Sequence, residues 1–177
     1  SSNTALTTLY VGNNSLDSLD VSTNTALDEL GCWNNQLTAL DVSANTDLTK
    51  LKVQGNQVTS LDLSTNTALT TLNCSSNALT ALDVSANTAL TKIQCQMNQL
   101  PSLDVSANTA LVQLRCQNNQ LTYLNMRNGV TDALTTFDAT NNPNLNCIET
   151  LDPVYATANW TNIDEGVTFS ESCTALI

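Results

Sequence analysis

The sequence predicts a β-rich solenoid: a right-handed coil with a parallel sheet on one face, short extended segments on the other, and little or no helix. A unit of 21 residues repeats six times without insertion, starting at Asn3, Asn24, Asn45, Asn66, Asn87 and Asn108. Within each unit, leucine and other apolar residues alternate with polar ones, which is the periodicity of a strand. A unit this short cannot bury an apolar face alone, so the copies must stack on one another.

Each unit consists of two similar halves. Both follow the pattern Leu-x-x-Leu-x-apolar-x-x-Asn, which the second unit places at 27–35 and again at 37–45. Because both halves are extended, we expect similar coil spacing on the two faces and therefore a shallow curvature. The closing asparagines form two columns along the coil, where their amides can bond the backbone of buried turns.

This pattern is the signature of leucine-rich repeats. The stretch LTALDVSANTALTKIQCQMNQL at 79–100 resembles the bacterial 21-residue class with nested halves and a cysteine ladder, the internalin J-like repeats. The resemblance implies a secreted or bacterial cell-surface protein that binds a partner or adheres and has no catalytic activity. Residues 1–128 are predicted to hold the six repeats, and residues 129–177 a degenerate seventh repeat and a C-terminal cap. Tyr155 and Trp160 are expected to close the end of the core.

Charge and composition narrow the possible functions. The formal net charge is −11, from 16 acidic and 5 basic residues, which argues against nucleic-acid binding. No apolar stretch is long enough to suggest membrane insertion. Histidine is absent, which removes the usual general base and most zinc sites. We therefore expect no enzymatic activity and no cofactor, and a monomer.

The six cysteines fall into two groups. One group shares a repeat position with Val11 and Val53, which indicates a buried apolar slot; its members are Cys32, Cys74, Cys95 and Cys116. Neighbouring coils are close enough for disulfides, but side chains on parallel strands point the same way, so we predict free thiols. Cys147 and Cys173 lie in the tail, where a disulfide would staple a small core and indicate an oxidising compartment. Two further buried thiols are the alternative.

The outward positions of the first halves vary between copies, whereas the second halves stay nearly constant. Four of the five basic residues and two aromatic residues lie at these variable positions. Aromatic residues and arginine are common at recognition surfaces. The predicted binding face comprises Tyr10, Trp33, Lys50, Lys52, Gln54, Asn73, Lys92, Gln94, Gln96, Arg115 and Gln117. Its partner would be a protein or a polysaccharide, with Trp33 or Tyr10 available to stack on a sugar ring.

Two alternatives remain open for this surface and its protein. The variable positions could be a solvent-exposed face whose residues have drifted at random. The whole chain could then be a rigid structural spacer of a larger surface protein, with no ligand of its own.

The constant second halves place a column of carboxylates on the opposite face, at Asp20, Asp41, Asp62, Asp83 and Asp104. Adjacent like charges repel by roughly 1 kcal/mol in water, so the column needs a structural reason. One interpretation is that the aspartates bond backbone amides in the following turn, where a serine stands two residues on. Calcium binding is the alternative, because carboxylate oxygens suit that ion, but no calcium-loop spacing is present.

Overall fold

The first halves of the repeats form one parallel sheet in the computed structural model, which describes residues 3–173. Its seven strands are β1 (Thr8–Tyr10), β2 (Glu29–Gly31), β3 (Lys50–Lys52), β4 (Thr71–Asn73), β5 (Lys92–Gln94), β7 (Gln113–Arg115) and β9 (Thr136–Asp138). Neighbours pair in chain order and in register, so each residue lies beside its counterpart one repeat later. We call the outer surface of this sheet the strand face.

A second parallel sheet forms at the C-terminal end of the opposite face. It comprises β6 (Ser102–Asp104), β8 (Tyr123–Met126), β10 (Cys147–Thr150) and β11 (Thr168–Ser170). Cys147 pairs with Thr168, an offset of 21 residues, so the tail continues the coil although its leucine pattern has gone. The predicted fold class, a parallel-sheet solenoid, is confirmed.

The only helix in the described range is α1 (Pro153–Asn159), which lies between β10 and β11. Asp152 caps its N-terminus by accepting a hydrogen bond from the Tyr155 amide at 2.9 Å, and Pro153 begins its first turn. Within residues 3–173, no helix is long and apolar enough to cross a membrane.

The core is a continuous stack of leucine, valine and cysteine side chains between the two faces. Val53 and the four repeat cysteines occupy the same slot, and each is 0% exposed. Trp160 packs against Phe137 and Phe169, with ring centroids 4.6 and 5.7 Å away, and closes the far end of this core as expected. The expectation was wrong for Tyr155, which stays partly exposed beside Leu151.

Two asparagine columns connect the coils. In the first, the Asn56 amide nitrogen donates to the carbonyls of Cys32 and Val53, while its oxygen accepts from the Leu37 amide. In the second, Asn66 donates to the carbonyls of Val42 and Asn45 at 3.0 and 2.8 Å. These bonds recur along the stack and give each turn carbonyl a second hydrogen bond, from the amide of a neighbouring coil or of its own turn.

The two faces differ in how their coils are joined. On the strand face, backbone hydrogen bonds run through all seven strands. On the other face, no backbone–backbone hydrogen bond joins the described segments 38–44, 59–65 and 80–86 to one another. Shallow grooves of about 330 and 380 Å³ separate segment 80–86 from the coil before it and from the coil after it, at 101–107, and are lined in part by Asp62, Asp83 and Asp104.

Candidate binding face

The strand face carries three columns of outward side chains. The middle residue of each strand points into the core, so the residues before and after it point outward. The position two residues beyond the strand lies at the same surface but is partly buried: Ser75 is 6% exposed, and the amide oxygens of Gln54, Gln96 and Gln117 are buried. In-register pairing stacks these positions from coil to coil. The structure therefore brings all eleven predicted binding residues onto one surface.

Trp33 lies flat on the backbone of two glycines. A Cβ atom built on Gly12 would lie 2.2, 2.4 and 2.5 Å from three atoms of the indole five-membered ring. Near-equal distances to three atoms of one ring mean that the ring presents its face to Gly12. A Cβ on Gly31 would lie 2.4 Å from Cζ3 of the same indole. Any side chain at either glycine would push the indole away, so glycine is required for this position of Trp33.

Tyr10 lies beside the indole and is linked to three charged residues. The Tyr10 ring centroid lies 5.7 Å from that of Trp33, and the Lys52 ammonium lies 5.7 Å from the Tyr10 centroid. The Tyr10 hydroxyl donates to Oε2 of Glu29, whose Oε1 accepts from the Lys50 ammonium at 2.5 Å. The hydrogen bond between Tyr10 and Glu29 raises the pKa of Tyr10. The hydrogen bond between Lys50 and Glu29 lowers the pKa of Glu29 and raises the pKa of Lys50.

The charge of the strand face is opposite to that of the chain. Its outward positions hold four basic residues, Lys50, Lys52, Lys92 and Arg115, and two acidic ones, Glu29 and Asp138. Four minus two gives a formal charge of +2 on the face, against −11 for the whole chain. Among the described residues the one ion pair joins Lys50 to Glu29, so the other three cations are available to an external anion.

A column of left-handed backbone conformations borders the face, a feature that we did not predict. It comprises Asn13, Asn34, Gly55, Ser76, Met97, Asn118 and Asn141, with φ between 51° and 70°. Asparagine and glycine adopt this region readily, whereas a side chain such as methionine is strained there by about 1–2 kcal/mol. Met97 is 56% exposed, so burial does not offset the strain. The recurring asparagine and glycine at this position were the available sequence signal.

The cysteines divide as predicted. Cys147 and Cys173 form a disulfide, with Cα atoms 5.9 Å apart. The four repeat cysteines are buried free thiols. Burial raises the pKa of Cys32 and of Cys74 to about 12, and it also raises the pKa of Cys95 and of Cys116.

Three solved structures can be compared with this geometry. One is the functional domain of internalin J from Listeria monocytogenes, which is described as including a cysteine ladder. It is 34% identical to this chain, with a TM-score of 0.64, and the match covers 83% of this chain and 39% of that one. The chain is a leucine-rich repeat protein similar to internalin J. A leucine-rich repeat protein of Leptospira interrogans is 26% identical with a TM-score of 0.66, over 82% of this chain and 37% of that one.

Internalin F of Listeria monocytogenes shares the fold of this leucine-rich repeat chain. It is 23% identical with a TM-score of 0.73, over 97% of this chain and 49% of that one. The chain thus spans less than half the length of each of these three proteins. No protein-family model matches the sequence, and comparison with curated proteins gives no match.

The aspartate column of the leucine-rich repeats serves local turns. In each copy Oδ1 accepts a hydrogen bond from the serine amide two residues on, as between Asp41 and Ser43 at 2.9 Å. The hydroxyl and amide of Ser43 lower the pKa of Asp41, and Asp20, Asp62 and Asp83 have lowered pKa values for the same reason. Within residues 3–173, no three acidic, cysteine or histidine side chains are grouped as metal ligands.

Sequence reasoning also missed Glu149, a buried carboxylate beside the disulfide of the tail. Its Oε1 accepts from the Cys173 amide at 3.0 Å, and its Oε2 accepts from the Tyr123 hydroxyl at 3.1 Å. Burial and this hydrogen bond raise the pKa of Tyr123. Glu149 thereby ties the last described residue of the chain to the second sheet.

Proposed function

We propose that this chain is a non-catalytic binding or adhesion module that recognises a protein or polysaccharide partner through the strand face. The observation that supports this most directly is the formal charge of +2 on that face in a chain of net charge −11. A cationic face on an acidic protein attracts a partner that presents anionic groups. The module would act as a monomer, secreted or on a bacterial cell surface, where the disulfide is stable.

Two further features of the face support recognition over random drift. Trp33 needs both Gly12 and Gly31, so three positions on two coils must agree for the indole to lie flat. The face also combines aromatic, arginine and amide groups, a composition common at protein recognition surfaces. A surface whose only task is solubility requires neither feature.

A partner screen with two matched variants tests the proposal. One variant replaces Lys52, Lys92 and Arg115 with glutamine, which removes three positive charges from the strand face. The control replaces Thr38, Thr59 and Thr80 with glutamate, which changes the net charge by the same amount on the opposite face. These threonines are exposed.

The labelled chain and both variants would be applied to protein and glycan arrays and to intact cells. We expect a partner that the wild type and the threonine variant retain and that the glutamine variant loses, with binding that weakens as salt increases. If both variants bind every captured partner equally, the strand face is not the recognition surface. If the wild type captures nothing specific on any array or cell, the proposal fails and the chain acts as a spacer.

A further inference from the structure

We propose that Trp33 is the stacking platform for an acidic pyranose, that is, a sugar ring bearing a carboxylate or sulfate group. This inference rests on the proposed function and names the ligand class of the same face. One side of the indole covers Gly12 and Gly31. Its other side therefore faces away from the backbone, and the residue is only partly buried. An aromatic ring held flat on a sheet offers a broad apolar surface of fixed orientation.

The surroundings of this platform fit a sugar better than an apolar side chain. Protein hot spots are usually pockets from which water is excluded. Trp33 is instead flanked by the Tyr10 ring, which itself contacts polar groups: its hydroxyl donates to the Glu29 carboxylate, and the Lys52 ammonium lies over its ring. A pyranose combines an apolar face of C–H groups with a polar rim of hydroxyls. The indole matches the face, and the surrounding donors and acceptors match the rim.

The charges around the platform favour an anionic sugar. Glu29 is already bonded by Lys50 and by the Tyr10 hydroxyl, so its charge is compensated. Lys52 has no ion-pair partner among the described residues. Arg115 lies in the same column three strands further on, roughly 14 Å away at about 4.8 Å per strand. An acidic oligosaccharide lying across the strands would meet both cations.

Calorimetric titration with three oligosaccharides tests the inference. The first is a hexamer of galacturonic acid, and the second is the same hexamer with its carboxylates methyl-esterified, which removes the charge and keeps the rings. The third is a sulfated hexasaccharide, which separates sulfate from carboxylate as the anionic group. We expect at least one acidic hexamer to bind roughly tenfold more tightly than the ester.

Four variants locate the site. Trp33→Ala should weaken binding of the acidic hexamer roughly tenfold, and Trp33→Phe should weaken it less, because it keeps a ring. Gly31→Ala should also weaken it, because the new Cβ would lie 2.4 Å from Cζ3 of the indole and 2.6 Å from Cδ1 of Tyr10, and would displace both rings without removing either. Lys52→Gln should reduce the preference for acid over ester. Thr59→Ala, on the opposite face, is the matched control, and circular dichroism confirms that each variant is folded.

The inference is overturned if neither acidic hexamer binds at millimolar concentration, or if Trp33→Ala and Gly31→Ala bind as tightly as the wild type. Equal affinity for acid and ester would overturn the anionic assignment. These failures leave the proposed function intact when the array experiment still yields a protein partner that the glutamine variant loses. If the array experiment also yields no partner that depends on the strand face, both proposals fail.

Discussion

The buried thiols predict a steep loss of stability at alkaline pH. The test replaces Cys32, Cys74, Cys95 and Cys116 with valine in one variant and keeps the Cys147–Cys173 disulfide. The chain itself shows that valine fits, because Val53 is 0% exposed in the same slot. A substitution that conserves shape this closely should cost less than about 1.5 kcal/mol per site at neutral pH.

The magnitude follows from the two protonation states. An unfolded thiol has a pKa of about 8.5, whereas burial raises the pKa of Cys32 and of Cys74 to about 12 and raises the other two as well. A raised pKa leaves stability unaffected below the unfolded value and lowers it as pH rises toward the folded value. At about pH 9.5 each unfolded thiol has lost its proton, which lowers the free energy of unfolding by about 1.4 kcal/mol. Four thiols together lower it by about 6 kcal/mol.

Urea unfolding at about pH 7 and about pH 9.5 measures this difference. The wild type should lose about 6 kcal/mol more than the valine variant, since tyrosine and lysine titration is common to both. Oxygen-free buffer and a non-reducing gel verify that the disulfide has not exchanged. Equal losses in the two proteins would refute the reasoning, because they would mean that the folded thiols ionise as readily as unfolded ones.

Four further outcomes are expected. Met97→Asn should raise the free energy of unfolding by about 1 kcal/mol, because asparagine tolerates the left-handed backbone that methionine occupies. Met97→Leu should give no such gain, and urea unfolding measures both variants. Asn66→Ala should cost about 1–3 kcal/mol in the same assay, because it removes two buried hydrogen bonds that join adjacent coils, each worth about 0.5–1.5 kcal/mol. Asp62→Asn should lower the melting temperature at neutral pH, and the difference from the wild type should shrink as pH falls through the lowered pKa of Asp62, because a carboxylate with a lowered pKa stabilises the fold above its unfolded pKa and loses that gain on protonation. Calcium should leave the wild-type melting temperature unchanged by scanning calorimetry, because no three carboxylates within residues 3–173 are grouped closely enough to share an ion.

The sequence predicted the strands and columns correctly because one period governs both. With a constant repeat of 21 residues, parallel strands pair in register, so residues such as Lys52 and Asn73 must lie side by side. The interchange of valine and cysteine at one position likewise predicted its burial, since only a small apolar side chain suits such a slot.

The remaining features depend on side-chain orientations and core substitutions that the repeat pattern does not specify. The contact of Trp33 with Gly12 depends on which way the indole turns, because the two residues lie one coil apart. The continuation of the coil through β10 and β11 was hidden because their core residues include Ile148 and Phe169 in place of leucine. Tyr155 was misplaced because an aromatic residue on a short helix has two possible sides, and Trp160 already fills the core.

The hydrogen bonds explain why variation is confined to one face of this chain. On the second-half face each aspartate holds the amide of its serine, so replacing Asp41 or Asp83 would leave a turn without its cap. On the strand face the outward side chains of Lys52, Gln94 and Arg115 bond no backbone group within residues 3–173, so they can change without cost to the coil. Asn73 is an exception, since it caps the Ser75 amide at 3.2 Å. A surface whose residues can change without weakening the fold is where a repeat protein can acquire specificity, and here that surface also holds the unpaired cations and the flat indole.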